Sequence, residues 1–243
     1  MSSTISNAAD KSLRSFSLLR SLNDDEVKEV SSRCRWRSYN RGEAILDKGS
    51  NSRDVFFVVR GAVAIVTFSG AGREVTLATR RAGDFFGELA AIDEQPRSAS
   101  ATAVEKSDLA IMAPDIFIKL VRDRADVGFV LLQRMAHIIR SSSMRIMELS
   151  TLQAAQRVYA ELLRMAHPDV AVPGLWVVRP LPPMHEIASL TSTTRETVNR
   201  AISQLYPSGL LKRKGRNLFL MDKHRLEEIV QSLQAFHTQK HDE

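Results

Sequence analysis

Arg195, Glu196 and Arg200 place two guanidinium groups and a carboxylate within six residues of a stretch whose apolar positions recur at helical spacing. Arginine can donate two parallel hydrogen bonds to guanine O6 and N7, and a carboxylate can accept from the cytosine amino group, so these side chains can read base-pair edges. The hydroxyls of Ser192, Thr194 and Thr197 stand where they would meet phosphate oxygens, which sets the register of a helix without reading sequence. A second constellation lies about a hundred residues earlier, in Gly87, Glu88, Arg97 and Ser98. Free amides where a short helical turn begins, a small residue, a cation and a hydroxyl together suit one phosphodiester group. Glu88 remains available to accept from a sugar hydroxyl. Each set has a plainer alternative. Arg195 and Arg200 could be solvated charges, with Glu196 closing a capping box on Thr193. Glu88 and Arg97 could be a partly exposed ion pair worth little.

The elements that must position the first set are two short helices joined by a tight turn, over Met184 to Leu211, ended by Pro207 and Gly209. Ile187, Leu190, Val198, Ile202 and Leu205 form the apolar face, interrupted by Thr191, Ser192 and Thr193, and Thr193 or Thr194 can cap the second helix. Beyond it, Lys212 to Asn217 lies between the apolar runs Leu210–Leu211 and Leu218–Leu220 and reads as a hairpin tip turned by Gly215, placing Lys214 and Arg216 on a backbone groove. Arg195 to Arg225 holds eight basic and two acidic residues, a local +6 that equals the net charge of the 243-residue chain. Such a concentration predicts strongly salt-dependent binding to a polyanion.

The second set sits in a different environment. From Trp36 to Met112 the pattern is short β-branched and aromatic runs (Val55–Val59, Val63–Phe68, Val75–Leu77, Leu109–Met112) punctuated by glycines at 42, 49, 61, 70, 72, 83 and 87. That spacing predicts a small antiparallel β-roll. Residues 13–33 read as helical, and the first dozen as disordered. Pro114 to about Leu152 reads as one short helix leading into a long one. Val121, Gly128, Leu131, Met135, Ile138, Leu149 and Leu152, with Arg124, Ser142 and Arg145 at the remaining positions, alternate in three- and four-residue steps. They predict a dimer seam, the alternative being a helix packed on its own domain.

Composition narrows the classes. Cys34 is the one cysteine, which excludes an intramolecular disulfide and a cluster held by four thiolates of one chain. The six histidines show no ligand-spaced cluster, so no metal is expected. There is no P-loop and no GxSxG signature. No apolar run approaches the roughly 20 residues of a membrane span, and the polar start lacks a secretory pattern, so a cytoplasmic protein is expected.

GDFFGELAAIDEQPRSASATA resembles the phosphate-binding cassette of the cyclic-nucleotide-binding domain, and ASLTSTTRETVNRAISQL is similar to the helix-turn-helix of the cyclic-AMP receptor protein and fumarate-nitrate regulator superfamily. The likeness spans roughly residues 15–235, with both motifs in the family's order. It implies an α+β chain in three parts: an N-terminal helix plus antiparallel β-roll (1–113), a connecting dimerisation helix (114–152) and a C-terminal winged helix-turn-helix (153–243). By position, Gly87 and Glu88 would hold the ribose, Arg97 and Ser98 the cyclic phosphate, and Leu77 and Ala78 the pocket wall, with Leu89 and Ala90 adjoining. Ser142 and Ser143 would reach the purine from the two subunits. Arg195, Glu196 and Arg200 would read a TGTGA-like half-site. The family often has glycine where Ser192 stands.

The resemblance implies a non-enzymatic regulator with cAMP or cGMP as allosteric ligand, and with double-stranded DNA, a second copy of the chain and RNA polymerase as partners. A hydroxyl both donates and accepts, so Ser142 and Ser143 suit the adenine amino group or the guanine carbonyl alike, and relaxed purine selectivity is expected. Rival readings are a redox or gas sensor, a regulator that binds DNA without nucleotide, and a phosphodiesterase using Glu88 and Arg97. The last lacks metal ligands and an activated nucleophile.

Overall fold

The structure, a computed structural model, describes residues 12–68 and 74–238. Gly70, Gly72, His241 and nearly all of the segment expected to be disordered therefore lie outside the described residues. The chain forms two compact units, Met1–Ile138 and Ile139–Glu243.

The first unit is built from the expected strands and four more. They are β1 (Arg35–Tyr39), β2 (Ala44–Leu46), β3 (Val55–Arg60), β4 (Ala62–Phe68), β5 (Glu74–Arg81), β6 (Phe85–Phe86), β7 (Ser100–Ala103) and β8 (Ser107–Met112). They pair antiparallel in two four-stranded sheets, ordered β1-β8-β3-β6 and β2-β7-β4-β5. β3 is buried on both faces from Val55 to Val58, which is why its sequence runs apolar rather than alternating. Phe57 faces a cluster with Phe16, Leu18, Leu19, Phe85 and Met112, where its ring meets Phe16 edge-on at 5.1 Å. Phe56 faces the other cluster, with Tyr39, Val63 and Leu109, and stacks on Phe86 at 5.0 Å. The stretch 13–33 divides into a 3-10 turn (Ser17–Leu19) and helix α1 (Asp24–Ser32), whose start is set by a capping box between Asn23 and Glu26.

After the short α2 (Glu88–Asp93) and β7–β8 come α3 (Pro114–Asp123), with proline in its first turn, and the 27-residue α4 (Ala125–Thr151). Extended Arg124 separates them and forms an ion pair with Glu26 of α1. α4 belongs to both units, since their boundary falls after Ile138.

The apolar frame of α4 differs from the predicted one. Leu131, assigned to the seam, is only 5% exposed and packs in the first unit's core, with Met135 beside it. The exposed row is Phe129, Leu132, Ala136, Ile139, Ser143 and Ile146, with Leu132 at 66% exposure and Ala136 partly covered. Its steps of three and four residues keep the heptad period, shifted by one position. Periodicity finds a stripe, but only packing against the β-roll decides which of two adjacent stripes is consumed by the core.

The second unit holds α5 (Ala154–Met165), β9 (His167–Pro168), β10 (Trp176–Val178), α6 (Met184–Leu190), α7 (Arg195–Leu205), β11 (Leu211–Lys214), β12 (Asn217–Leu220) and α8 (Lys223–Thr238). Its sheet runs β11-β12-β10-β9. Ile187, Val198, Ile202 and Leu205, four of the five residues of the predicted apolar face, pack with Val158, Leu162, Leu218 and Leu220, whereas Leu190, the fifth, is half-buried outside that cluster. Among the described residues no helix is long and apolar enough to cross a membrane, and no group of metal-ligating side chains converges.

Candidate functional site

β6 hands the chain to α2 through Gly87, whose φ of 87° and ψ of 3° are left-handed. A Cβ there would lie 2.7 Å from Arg97 Nη1 and 2.9 Å from the Asp54 carbonyl oxygen. The position therefore requires glycine for its backbone and for its neighbours. Arg97, 4% exposed, donates from Nε to Ser52 Oγ (3.1 Å), from Nη1 to the Gly87 carbonyl (2.8 Å) and from Nη2 to the Asp54 carbonyl (2.6 Å). A guanidinium has five N–H donors, so two remain after these three bonds. Burial lowers the pKa of Arg97, opposed by the charges of Asp54 and Glu88.

Glu88 is also buried, yet its carboxylate makes no hydrogen bond among the described residues, and its nearest cation is Arg134 Nε at 4.0 Å. The ion pair between Glu88 and Arg97 offered as the plainer alternative does not form; the arginine is bound by carbonyls and a hydroxyl instead. What results is a cation with donors to spare close to a carboxylate with acceptors to spare, both on side chains that expose little surface. Ser98 is exposed, as are Leu77 and Leu89, while Ala78 is half-buried. Leu77 lies at a bulge, where pairing passes from Val66–Thr76 to Ile65–Ala78. Ala90, the third residue of α2, is buried.

In the second unit Thr194, not Thr193, caps α7, accepting from Thr197 N at 3.2 Å and touching Thr197 Oγ1 at 3.1 Å. Thr193 is buried, and Glu196 is the second residue of α7, so the capping-box alternative for Glu196 is absent. The Glu196 carboxyl is held below its usual range by its own backbone amide, then by the Thr194 hydroxyl and, after these, by Arg195. Arg195, Glu196 and Arg200 are all exposed on the first two turns of α7. The turn before them is clamped by Arg157, which donates to the carbonyls of Thr191 (2.9 Å), Leu152 (2.9 Å) and Ser192 (3.4 Å). The hairpin forms as predicted: Lys214 pairs with Asn217 across a two-residue turn of Gly215, at φ 60°, and Arg216. Lys212, Arg213, Lys214 and Arg216 are exposed along it.

Residues 36–124 match the model of the cyclic nucleotide-binding domain, and residues 156–229 that of the Crp-like helix-turn-helix domain. The "Cyclic AMP receptor protein" of Thermus thermophilus is 30% identical over 213 residues, 88% of this chain and 96% of that protein. The chain belongs to the cyclic AMP receptor protein family. The CRP-like cAMP-activated global transcriptional regulator of Mycobacterium tuberculosis is 28% identical over 190 residues, 77% of this chain and 84% of that one. The structure of FixK2 from Bradyrhizobium japonicum superposes with a TM-score of 0.67 at 28% identity, covering 80% of this chain and 96% of that one. This member of the cyclic AMP receptor protein family is thus a transcription regulator in which a cyclic nucleotide-binding domain precedes a DNA-binding helix-turn-helix.

Three supporting side chains of this family member have no local signal in the sequence. Ser52, whose hydroxyl receives Arg97, is an ordinary loop residue, and Arg134 and Arg157 belong to none of the motifs that the sequence shows. Ser142 and Ser143 are exposed on α4, with Ser143 in the observed apolar row and Ser142 beside it, the reverse of the expected frame. The departure at the turn is also resolved: Ser192 adopts φ 51°, the left-handed region that glycine takes freely. Ser192→Gly is expected to stabilise the protein by about 0.5–1 kcal/mol, because relief of the strained backbone exceeds the entropy added to the unfolded chain. Thermal unfolding followed by circular dichroism tests this, and a lower melting temperature would contradict it.

Proposed function

We propose that the protein is a homodimeric, cytoplasmic regulator whose affinity for a TGTGA-like palindrome is raised by a purine cyclic mononucleotide, cAMP or cGMP, held in the β-roll. One observation carries the reading. Buried Arg97 keeps two donors free beside a buried Glu88 that makes no hydrogen bond among the described residues. A cyclic phosphodiester brings one negative charge and acceptor oxygens for Arg97 and the Ser98 hydroxyl; the adjoining ribose brings the hydroxyl that Glu88 accepts. Ser142 and Ser143 supply the purine contacts, one from each subunit. Their hydroxyls suit adenine and guanine alike, and the names of the relatives favour cAMP as the physiological ligand.

The exposed row on α4 supports a twofold dimer, in which Phe129, Leu132, Ile139 and Ile146 meet their counterparts. Because α4 is continuous from the first unit into the second, nucleotide that prefers one arrangement of the helix pair shifts the spacing of the two α7 helices. Half-sites about one helical turn, near 34 Å, apart would then be read together. RNA polymerase is the further partner in this scheme.

A DNA-binding titration on a TGTGA palindrome, without nucleotide and with saturating cAMP or cGMP, tests the proposal. At least about tenfold tighter binding with nucleotide is expected, within the range of ordinary allosteric coupling. Calorimetry should give cAMP and cGMP affinities within about 100-fold of each other, a difference below about 2.7 kcal/mol. Equal DNA affinity with and without nucleotide would instead support the rival regulator that binds DNA unaided.

A further inference from the structure

Arg134 sits on α4 with its side chain 19% exposed, and the groups it contacts come from one short segment. Its Nη2 donates to the Phe85 carbonyl at 2.6 Å, and Nη1 lies 3.7 Å from Asp84 Oδ1. Its Nε lies 4.0 Å from Glu88 Oε1, and its guanidinium covers the Phe85 ring at 4.1 Å. These partners fall within residues 84–88, the run that forms β6 and opens α2. One cation therefore ties the long helix to the segment that carries Glu88.

We propose that Arg134 is a positioning residue that couples occupancy of the nucleotide site to α4. The tie is incomplete in a specific way. Nε is buried with no hydrogen-bond partner among the described residues, and the Glu88 carboxylate, 4.0 Å away, is beyond hydrogen-bond distance. Glu88 thus serves two claimants, the ribose hydroxyl of the proposed ligand and the Arg134 guanidinium. A hydroxyl donating to Glu88 reorients its carboxylate, and Arg134 must follow it or be left with Asp84 as its remaining counter-charge. Where Arg134 follows, α4 moves against the cassette. Arg80, half-buried on β5 and paired in register with the buried Val63, adds like charge nearby. It disfavours the Arg134 cation, after burial as the larger cause, while Glu88 and Asp84 favour it. The helix position is therefore tied to where those two carboxylates are held.

This inference rests on the proposed nucleotide switch, and the experiment separates the two. Full-length wild type, Arg134→Gln and Arg134→Lys are compared for cAMP affinity by calorimetry, and for DNA affinity with and without saturating cAMP. In wild type, the ratio of the two DNA affinities measures coupling. Arg134→Gln should lower that ratio about tenfold or to unity while cAMP affinity stays within about threefold, and Arg134→Lys, which keeps the charge without the fork, should fall between. An unchanged ratio in a folded Arg134→Gln protein overturns the proposal and leaves Arg134 a brace. Loss of cAMP affinity with a retained ratio at saturation also overturns it, making Arg134 a ligand contact. If Arg134→Gln does not fold, Arg134→Lys decides alone, with a wild-type ratio counting against the proposal. A wild-type ratio of one with cAMP bound overturns the nucleotide switch itself, a result distinct from all of these.

Discussion

Gly87→Ala is expected to weaken cAMP binding by roughly 100-fold or more and to lower the melting temperature, whereas Gly42→Ala should do only a part of the second. Both glycines have left-handed φ angles, 87° and 82°, so alanine at either position carries roughly 1–2 kcal/mol of backbone strain. Their surroundings differ. A Cβ at position 42 meets nothing within 4 Å, while one at position 87 meets Arg97 Nη1 at 2.7 Å and the Asp54 carbonyl at 2.9 Å. The backbone oxygen cannot yield cheaply, so the guanidinium must, and overpacking of this kind costs a further ~1–3 kcal/mol. Displaced Arg97 would lose its bonds to Gly87 and Asp54 and, with them, the aim of its two remaining donors. Charge-assisted hydrogen bonds contribute about 1.5–3 kcal/mol each, so loss of two to the phosphate amounts to roughly 100-fold or more in affinity. Calorimetry and thermal unfolding on both variants check this. Wild-type cAMP affinity in Gly87→Ala would remove Arg97 from the site.

Arg195→Ala is expected to weaken binding to the palindrome by about 1–3 kcal/mol per half-site and to relax selection at one base pair, with the loss doubled in a symmetric dimer. Arg195 is exposed at the first position of α7, directly after the Thr194 cap, so its removal leaves the helix start and the buried face of α7 intact. Arg216 gives the contrast. It lies in the wing turn rather than on α7, so Arg216→Ala should weaken binding evenly across sequences and reduce the salt slope by about one for each phosphate no longer neutralised. Quantitative binding to single-base variants of the half-site at several salt concentrations distinguishes the two. Equal loss on every sequence for Arg195→Ala would make that residue a phosphate binder as well.

Much of the fold was legible because its signals are local. β3, β4 and β8 were visible as β-branched and aromatic runs, and the helix pair as apolar spacing broken by threonines. β1, with the sequence RWRSY, and β7, with SATA, were not seen, because neither is an apolar run. Their strand state comes from pairing with β8 and with β2 and β4. The candidate site was legible in its motif residues and not in its supports. Arg97 reaches Ser52 and Asp54 more than forty residues away, and Arg157 reaches Thr191 across thirty-four, separations at which spacing carries no information.

By itself the sequence determined which residues could do chemistry, where two helices must turn and where a hairpin must close, since capping hydroxyls, glycines and periodicity act over a few residues. Only the tertiary structure decided what those groups face. The β-roll takes Leu131 and Met135 into its core, which moves the exposed row of α4 by one residue and puts Ser143, rather than Ser142, within it. The fold likewise binds Arg97 to carbonyls instead of Glu88, and brings Arg134 to the cassette. Those outcomes depend on which faces meet when distant segments pack, a property of the assembled core rather than of any short stretch of chain.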